Sequence, residues 1–242
     1  MSLRRGAMLA AAFVVGCSGS EGAGHGHGHG HEQGEHGHGH GHGDGVLVHR
    51  FQNAEQWSKE FDDPARDAWQ RPEEVVGLLR ITPGMTAVDL GAGTGYFLPY
   101  LARAVGPQGS VLALDVEADM VRYMRERALR EKLSNVKAIQ VAPGDPGLAA
   151  GSAARILVVD TWHHIPAREA YAKKLRAALA PCGVIAVVDF TLESQRGPPK
   201  EHRIAPERVV AELAAAGLVA EVANEGLPEQ YVVLGRAPGG CT

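Results

Sequence analysis

Aromatic residues make up only 5% of this 242-residue chain, and cysteine occurs only as Cys17, Cys182 and Cys241. Three cysteines do not make a disulfide framework, so a packed core has to supply stability. No apolar run reaches the length that a membrane-spanning helix needs. Basic residues are not in excess. The net charge is −4, and no basic-aromatic interleaving marks a nucleic-acid surface, so no nucleic-acid partner is expected. These absences point away from a stapled mini-protein, a membrane-spanning bundle and a nucleic-acid binder. With 45% hydrophobic and 21% charged residues, the composition is that of a folded domain. Beyond an unusual N-terminus about 190 residues remain, enough for one complete core.

That N-terminus carries Arg4 and Arg5, an apolar run at 7–15, then Gly16-Cys17. A basic start, a short apolar stretch and a small residue at the cut form a secretory signal. Val14-Val15-Gly16-Cys17 resembles a bacterial lipobox. The resemblance implies lipidation of Cys17, a lipid anchor in a membrane and a place in the cell envelope. The alternative is a start assigned upstream of a cytoplasmic enzyme. Arg4-Arg5 also hints at twin-arginine export, but the flanking residues fit poorly.

Residues 24–45 are almost wholly alternating His and Gly. Such a segment cannot bury a core and reads as a disordered linker. Its eight imidazoles, His25, His27, His29, His31, His36, His38, His40 and His42, are candidate ligands for Ni²⁺, Zn²⁺ or Cu²⁺. Glycine between them permits many geometries, so binding would be adaptable. A plain spacer that chelates incidentally is the competing reading. The expected divisions are 1–17 signal, 18–45 linker, 46–80 helical cap, 81–236 catalytic domain and 237–242 tail.

The chemistry centres on Val88-Asp89-Leu90-Gly91-Ala92-Gly93-Thr94-Gly95. A short apolar run ends in a loop with glycine at alternate positions, and a helical pattern follows. Glycine serves where the chain turns sharply, takes positive φ or touches a ligand. A dinucleotide fingerprint would want a third glycine at 96, which is Tyr96. The chain instead reads Asp89-x-Gly91-x-Gly93-x-Gly95. This resembles motif I of the class I S-adenosylmethionine-dependent methyltransferases.

The rest of the chain fits that resemblance. Helices are expected at 53–61, 72–80, 94–105, 117–132, 166–180 and 206–216. Strands are expected at 86–90, 110–114, 136–141, 154–159, 184–189, 218–222 and 231–234, the last two as an antiparallel hairpin. Pro99 should distort the first turn of its helix. Arg122, Arg125, Arg127 and Arg130 read as a solvated face. Trp57, Phe61 and Trp69 read first as packing for the leading helices, with Asp67, Trp69 and Gln70 as candidates for a lid over the cofactor. Residues 191–203 form a polar loop in which His202 and Arg203 carry the most chemistry.

Asp115 ends the second strand 24 positions beyond Gly91, where Rossmann-type sheets place a ribose-binding carboxylate. The resemblance assigns Asp115 to the adenosyl ribose, Val116 to adenine, Asp89 to the cofactor's amino group and Asp145, in a Gly-Asp-Pro segment, to the adenine amino group. Asp160, ending the fourth strand, joins this set. Asp160-Thr161-Trp162-His163-His164 resembles the motif IV region, making His163 and His164 candidate general bases. Cys182 stands in Pro181-Cys182-Gly183 where the family usually has glycine; a turn cysteine is the plainer reading and a reactive thiol the other.

The resemblance implies a Rossmann-like α/β sheet of seven strands, mostly parallel with an antiparallel terminal hairpin, and helices on both faces. It implies methyl transfer from S-adenosylmethionine to a nucleophile on an acceptor expected to be a small molecule. Export would separate the enzyme from a cofactor made in the cytosol. That conflict motivates a second reading, an exported metal-binding lipoprotein whose methyltransferase-like domain is inactive. The sequence carries no sign of oligomeric state.

Overall fold

The computed structural model describes residues 51, 53–223 and 226–239. The lipobox with Cys17, the histidines from His25 to His42 and Cys241 lie outside the described residues.

Seven strands form one sheet: β1 Thr86–Leu90, β2 Ser110–Asp115, β3 Val136–Gln140, β4 Ala153–Val159, β5 Leu179–Phe190, β6 Val219–Val222 and β7 Gln230–Arg236. Their order is β3-β2-β1-β4-β5-β7-β6. The first five run parallel, whereas β7 is antiparallel to both β5 and β6. The direction of winding reverses between β1 and β4, where ligands bind in such sheets.

Alternation along the strands feeds two cores. Ala87, Leu157, Ala186 and Val232 face one cluster, and Val88, Val158, Val187 and Val233 face the other. The first is covered by α3 (Pro72–Leu78), α4 (Leu98–Val105) and α5 (Ala118–Arg130). The second is covered by α6 (Arg168–Ala178) and α7 (Pro206–Ala215). A strand buried on both faces needs apolar residues at every position, which is why β4 reads as an unbroken apolar run.

Several local expectations change. The helix after the glycine loop starts at Leu98, because residues 93–97 form turns, so Pro99 sits undistorted in the first turn. Of the α5 arginines, Arg125 and Arg130 are exposed as expected, whereas Arg122 and Arg127 are committed to partners. Arg127 is 12% exposed and bridges Asp62, Glu131 and the Thr94 carbonyl, while Arg122 pairs with Glu55, Asp119 and Glu126. Leu129, an apolar residue on this helix, is exposed. The 191–203 loop is gathered by Arg203, whose guanidinium donates to the carbonyls of Pro198, Thr191, Ser194 and Arg196 at 2.6–3.2 Å. Cys182 takes φ 60, the left-handed conformation that suits glycine, and it is disulfide-bonded, which removes a free-thiol role.

Candidate active site

At the carboxyl ends of β1, β2 and β4 lies a cavity of about 950 Å³. The glycine loop forms its floor. After β1 the chain folds back so that the amides of Gly91 and Ala92 both donate to the Leu114 carbonyl, at 2.8 and 3.0 Å. Gly91, Gly93 and Gly95 all have positive φ (71°, 55° and 84°). A Cβ on Gly91 would stand 2.3 Å from Thr161, and one on Gly95 2.5 Å from Leu98. Two of the three glycines therefore answer to the protein's own packing. Gly91 and Gly93 both line the cavity, and a Cβ on Gly93 would meet only Phe61 at 3.6 Å.

Asp115 locks this loop to β2. Its Oδ2 accepts from the Gly93 amide at 2.8 Å and its Oδ1 from the Glu117 amide at 2.9 Å. Burial raises its pKa, and the amides oppose that shift. Val116 follows as a 42% exposed apolar surface on the cavity wall.

Two further carboxylates face the cavity. Asp89 is 3% exposed, and burial pushes its pKa up to about 7 against the pull of the Arg66 guanidinium. Asp160 takes φ 50, an uncommon conformation for a residue with a side chain. Its side chain is 24% exposed, and desolvation by the cavity wall raises its pKa, with Arg66 again opposing and Asp189 reinforcing. Its Oδ1 accepts from Gln230 Nε2 at 2.5 Å, and its Oδ2 lies 3.5 Å from Arg66 Nη2. Gln230 accepts in turn from the buried Gln70 at 2.5 Å.

Gln70 and Arg66 belong to the N-terminal cap, formed by α1 (Ala54–Phe61), the 3₁₀ turn Pro64–Arg66 and α2 (Asp67–Gln70). Asp62 in this segment accepts from Thr94 Oγ1 at 2.9 Å and pairs with Arg127 at 2.8 Å, so the cap is fastened to the glycine loop. Asp67 accepts from the Tyr96 hydroxyl. Trp57 and Phe61 do not pack into the sheet. They form an aromatic pile with Phe51, which also meets the His164 ring edge-on at 5.5 Å. Trp69 lies against Phe190.

The paired histidines separate. His164 lines the cavity, whereas His163 is 5% exposed and backs it, with Nδ1 2.9 Å from Asp189. Burial alone would lower the pKa of His163; the Asp189 carboxylate more than offsets this and holds it above the ordinary value. Trp162, between strand and histidines, donates to the buried Glu212, which also binds Arg168 and Arg208. The loop bearing His164 is thereby pinned to α7.

Asp145 does not line the cavity. Its side chain is 58% exposed, pairs with Lys174 at 3.0 Å and closes a turn on the Gly147 amide at 2.9 Å. Gln140, Ala142 and Pro143 line the cavity in its place. His202 and Arg203 do not line it either. Sequence reasoning missed Arg66, Gln140 and Gln230. A buried glutamine at a strand start breaks the apolar run and is the one signal for Gln230; Arg66 and Gln140 had none.

Residues 81–223 match the family described as a methyltransferase domain. The chain belongs to the class I S-adenosylmethionine-dependent methyltransferases. A crystal structure titled as a SAM-dependent methyltransferase from Aquifex aeolicus superposes with a TM-score of 0.71 at 28% identity, covering 77% of this methyltransferase and 99% of that chain. Nocamycin O-methyltransferase of Saccharothrix syringae is 30% identical over 66% of this chain. Ribosomal RNA large subunit methyltransferase E of Verminephrobacter eiseniae is 34% identical over 38% of it. This methyltransferase spans about half of those two relatives, 55% and 45% of their lengths. Among the described residues, no group of three His, Cys, Asp or Glu side chains is placed to hold a metal, and no helix is long and apolar enough to cross a membrane.

Proposed function

We propose that this methyltransferase binds S-adenosylmethionine across the glycine loop and methylates a small, largely apolar acceptor held under the aromatic cap. The observation that carries the reading is the convergence of Asp89, Gly93, Asp115 and Val116 on one cavity at the winding reversal. The donor set suits the cofactor: a buried carboxylate for its ammonium, a second for ribose hydroxyls and an exposed valine for adenine. When bound, S-adenosylmethionine supplies an electrophilic methyl on a sulfonium.

Asp89 orients by charge in an apolar wall, where a cation is worth more than in water. Asp115 keeps one lone pair per oxygen beyond the amides it already accepts, enough for two hydroxyl donors. His164, facing the cavity beside the Phe51 ring, is the candidate general base for an acceptor proton. His163 is assigned to support. Much of the rate would come from holding nucleophile and methyl in line, an effect of roughly 7–11 kcal/mol at most, with a base adding less.

A small acceptor is favoured because the cap covers the cavity, with Phe51, Phe61 and Arg66 of the cap on its wall. Calorimetric titration with S-adenosylmethionine tests the reading; no binding at millimolar cofactor would overturn it. The intact loop and carboxylates give no support to the inactive alternative.

For location we propose the cell envelope, with Cys17 lipidated. The basic start, the short apolar run and Gly16-Cys17 support this reading. Lipid labelling after fractionation decides this, and a Cys17→Ala variant that stays membrane-bound would sink it. Metal binding is assigned to the His/Gly tract and not to catalysis: deleting residues 25–43 should abolish Ni²⁺ and Zn²⁺ binding and leave cofactor affinity unchanged.

A further inference from the structure

The cavity wall carries more acid than the cofactor reading uses. Asp89, Asp115, Glu117 and Asp160 line it against one guanidinium, that of Arg66. That guanidinium is already engaged. Its Nε and Nη2 donate to Gln70 Oε1 at 3.1 and 2.8 Å, its Nη1 to the Phe61 carbonyl at 2.9 Å, and its Cζ lies 4.1 Å from the Tyr96 ring centroid. Three of the acids fall along the cofactor: Asp115 and Glu117 at the adenosyl end, and Asp89 at the ammonium. Asp160 is left over.

The strand order β2-β1-β4 sets ribose, ammonium and then Asp160 side by side, so the step from β1 to β4 leads off the cofactor and towards the acceptor. Asp160 Oδ1 accepts from Gln230 at 2.5 Å. No described residue donates a hydrogen bond to Oδ2, and Arg66 Nη2 stands off at 3.5 Å. A carboxylate offers about four acceptor sites, so Oδ2 is open, and the side chain keeps 24% of its surface uncovered. Its left-handed backbone, φ 50, is of the kind that gathers at ligand sites. Phe51 bridges the space above it, 5.7 Å from the Phe61 ring and 5.5 Å, edge-on, from His164. Phe61 in turn lies 3.6 Å from where a Cβ on Gly93 would stand. Ile165 and Pro166 extend this wall with apolar surface. An open carboxylate and aromatic faces together suit a cation that carries both N–H and C–H groups. They suit an anion badly and a neutral hydroxyl only in part.

We propose that the methyl acceptor is an amine with an apolar body, recognised as its ammonium by Asp160 Oδ2 and the Phe51 and Phe61 rings. This rests on the cofactor reading above. The cofactor's own ammonium stays with Asp89, and its sulfonium has no N–H to offer Oδ2. Asp160 lets the acceptor cation approach that sulfonium in spite of like charge. His164 takes one N–H proton, which frees the nitrogen lone pair. That pair forms the N–CH₃ bond as the C–S bond breaks, and the electrons of the C–S bond stay on sulfur as a thioether. The methylated nitrogen keeps its positive charge, and one proton passes from His164 to solvent. A carboxylate acceptor would instead meet Asp160 as a like charge.

The test is calorimetric titration of the full chain, saturated with S-adenosylhomocysteine so that Asp89 is occupied, with three compounds of one shape: 2-phenylethylamine, 2-phenylethanol and 3-phenylpropanoate. The amine should bind at least about tenfold tighter than the alcohol, the size of one charge-assisted hydrogen bond, and the carboxylate most weakly. Asp160→Asn keeps an acceptor for Gln230 and removes the charge. It should erase the preference for the amine and leave S-adenosylhomocysteine affinity within about twofold. Phe51→Leu should weaken the amine about threefold more than the alcohol. Equal affinities for amine and alcohol, tighter binding of the carboxylate, or no amine binding up to its solubility limit would overturn the proposal. So would unchanged amine affinity in either variant, or an Asp160→Asn protein that loses amine and S-adenosylhomocysteine alike, which reassigns Asp160 to the cofactor. The comparison of three compounds needs only the unmodified protein, so a variant that fails to fold leaves the test intact. Failure of S-adenosylhomocysteine to bind would instead overturn the cofactor reading, and this inference with it.

Discussion

Asp115 and Asp160 stand at equivalent places, each at the carboxyl end of a parallel strand, yet their surroundings differ in kind. Asp115 accepts two backbone amides from neighbouring loops. Asp160 is reached by side chains only: Gln230 at 2.5 Å, and Arg66 at 3.5 Å from the cap. Backbone donors come with the fold and cannot be withdrawn by rearranging side chains. Side-chain donors depend on the cap staying in place. One carboxylate thus holds the site together, and the other is left adjustable.

Four measurements would break or sharpen this contrast. The largest effect is expected behind Asp160, where His163→Ala leaves Asp189 buried without its cation. Loss of one partner of a buried pair costs about 3–5 kcal/mol, read as a lower denaturation midpoint, and cofactor affinity measured on the folded fraction should change little. On the other side, Asp115→Ala frees two amides and removes the proposed ribose contact. Cofactor affinity should drop at least about tenfold in a calorimetric titration, each orphaned buried donor costing about 1–3 kcal/mol besides. If Asp115→Ala bound cofactor normally, the ribose assignment would be lost.

The third measurement is thermal stability against pH without cofactor. Asp89 and Asp160 have pKa values raised from 3.8 to about 7, so their contribution is complete below 3.8 and falls away as pH climbs to about 7. His163, raised above 6.5, contributes fully below that value and loses its contribution as pH passes its folded pKa. All three act in one direction. Glu55, lowered by Arg122, and Asp119, lowered chiefly by the Ala54 amide, act in the other, but both are solvent-screened. The melting temperature should therefore fall by about 3–10 °C between pH 5 and pH 8. A rise over that window would contradict the raised pKa of the buried Asp89. The smallest effect belongs to Asp145→Ala, which should leave cofactor affinity unchanged and stability within about 0.5 kcal/mol.

The sheet was legible because strand periodicity and apolar content report burial directly. β4 and the terminal β6–β7 hairpin show this best. That Asp89, Asp115 and Val116 would meet at one cavity was legible because parallel strand ends at a winding reversal lie side by side. Other readings failed for a shared reason: residue type does not reveal which way a side chain turns. His163 and His164 are neighbours with opposite facings. Asp145 has a suitable side chain, but Lys174 and the Gly147 amide draw it outward. Trp57 and Phe61 look like core residues and instead stack on one another over the cavity. The arginines of α5 showed helical spacing; two of their acidic partners, Glu55 and Asp62, lie on the cap, far away in sequence.

The aromatic pile has one further consequence. Trp57 stacks on Phe61 at 5.4 Å in the cap, whereas Trp162 is fully buried and donates to Glu212. One indole thus sits where the cap meets the cavity and another is sealed in a fixed environment. Trp69 lies in the cap as well, so two of the three indoles report on the cap and one on the sealed interior, and the cap's environment can be read by fluorescence without attaching a label.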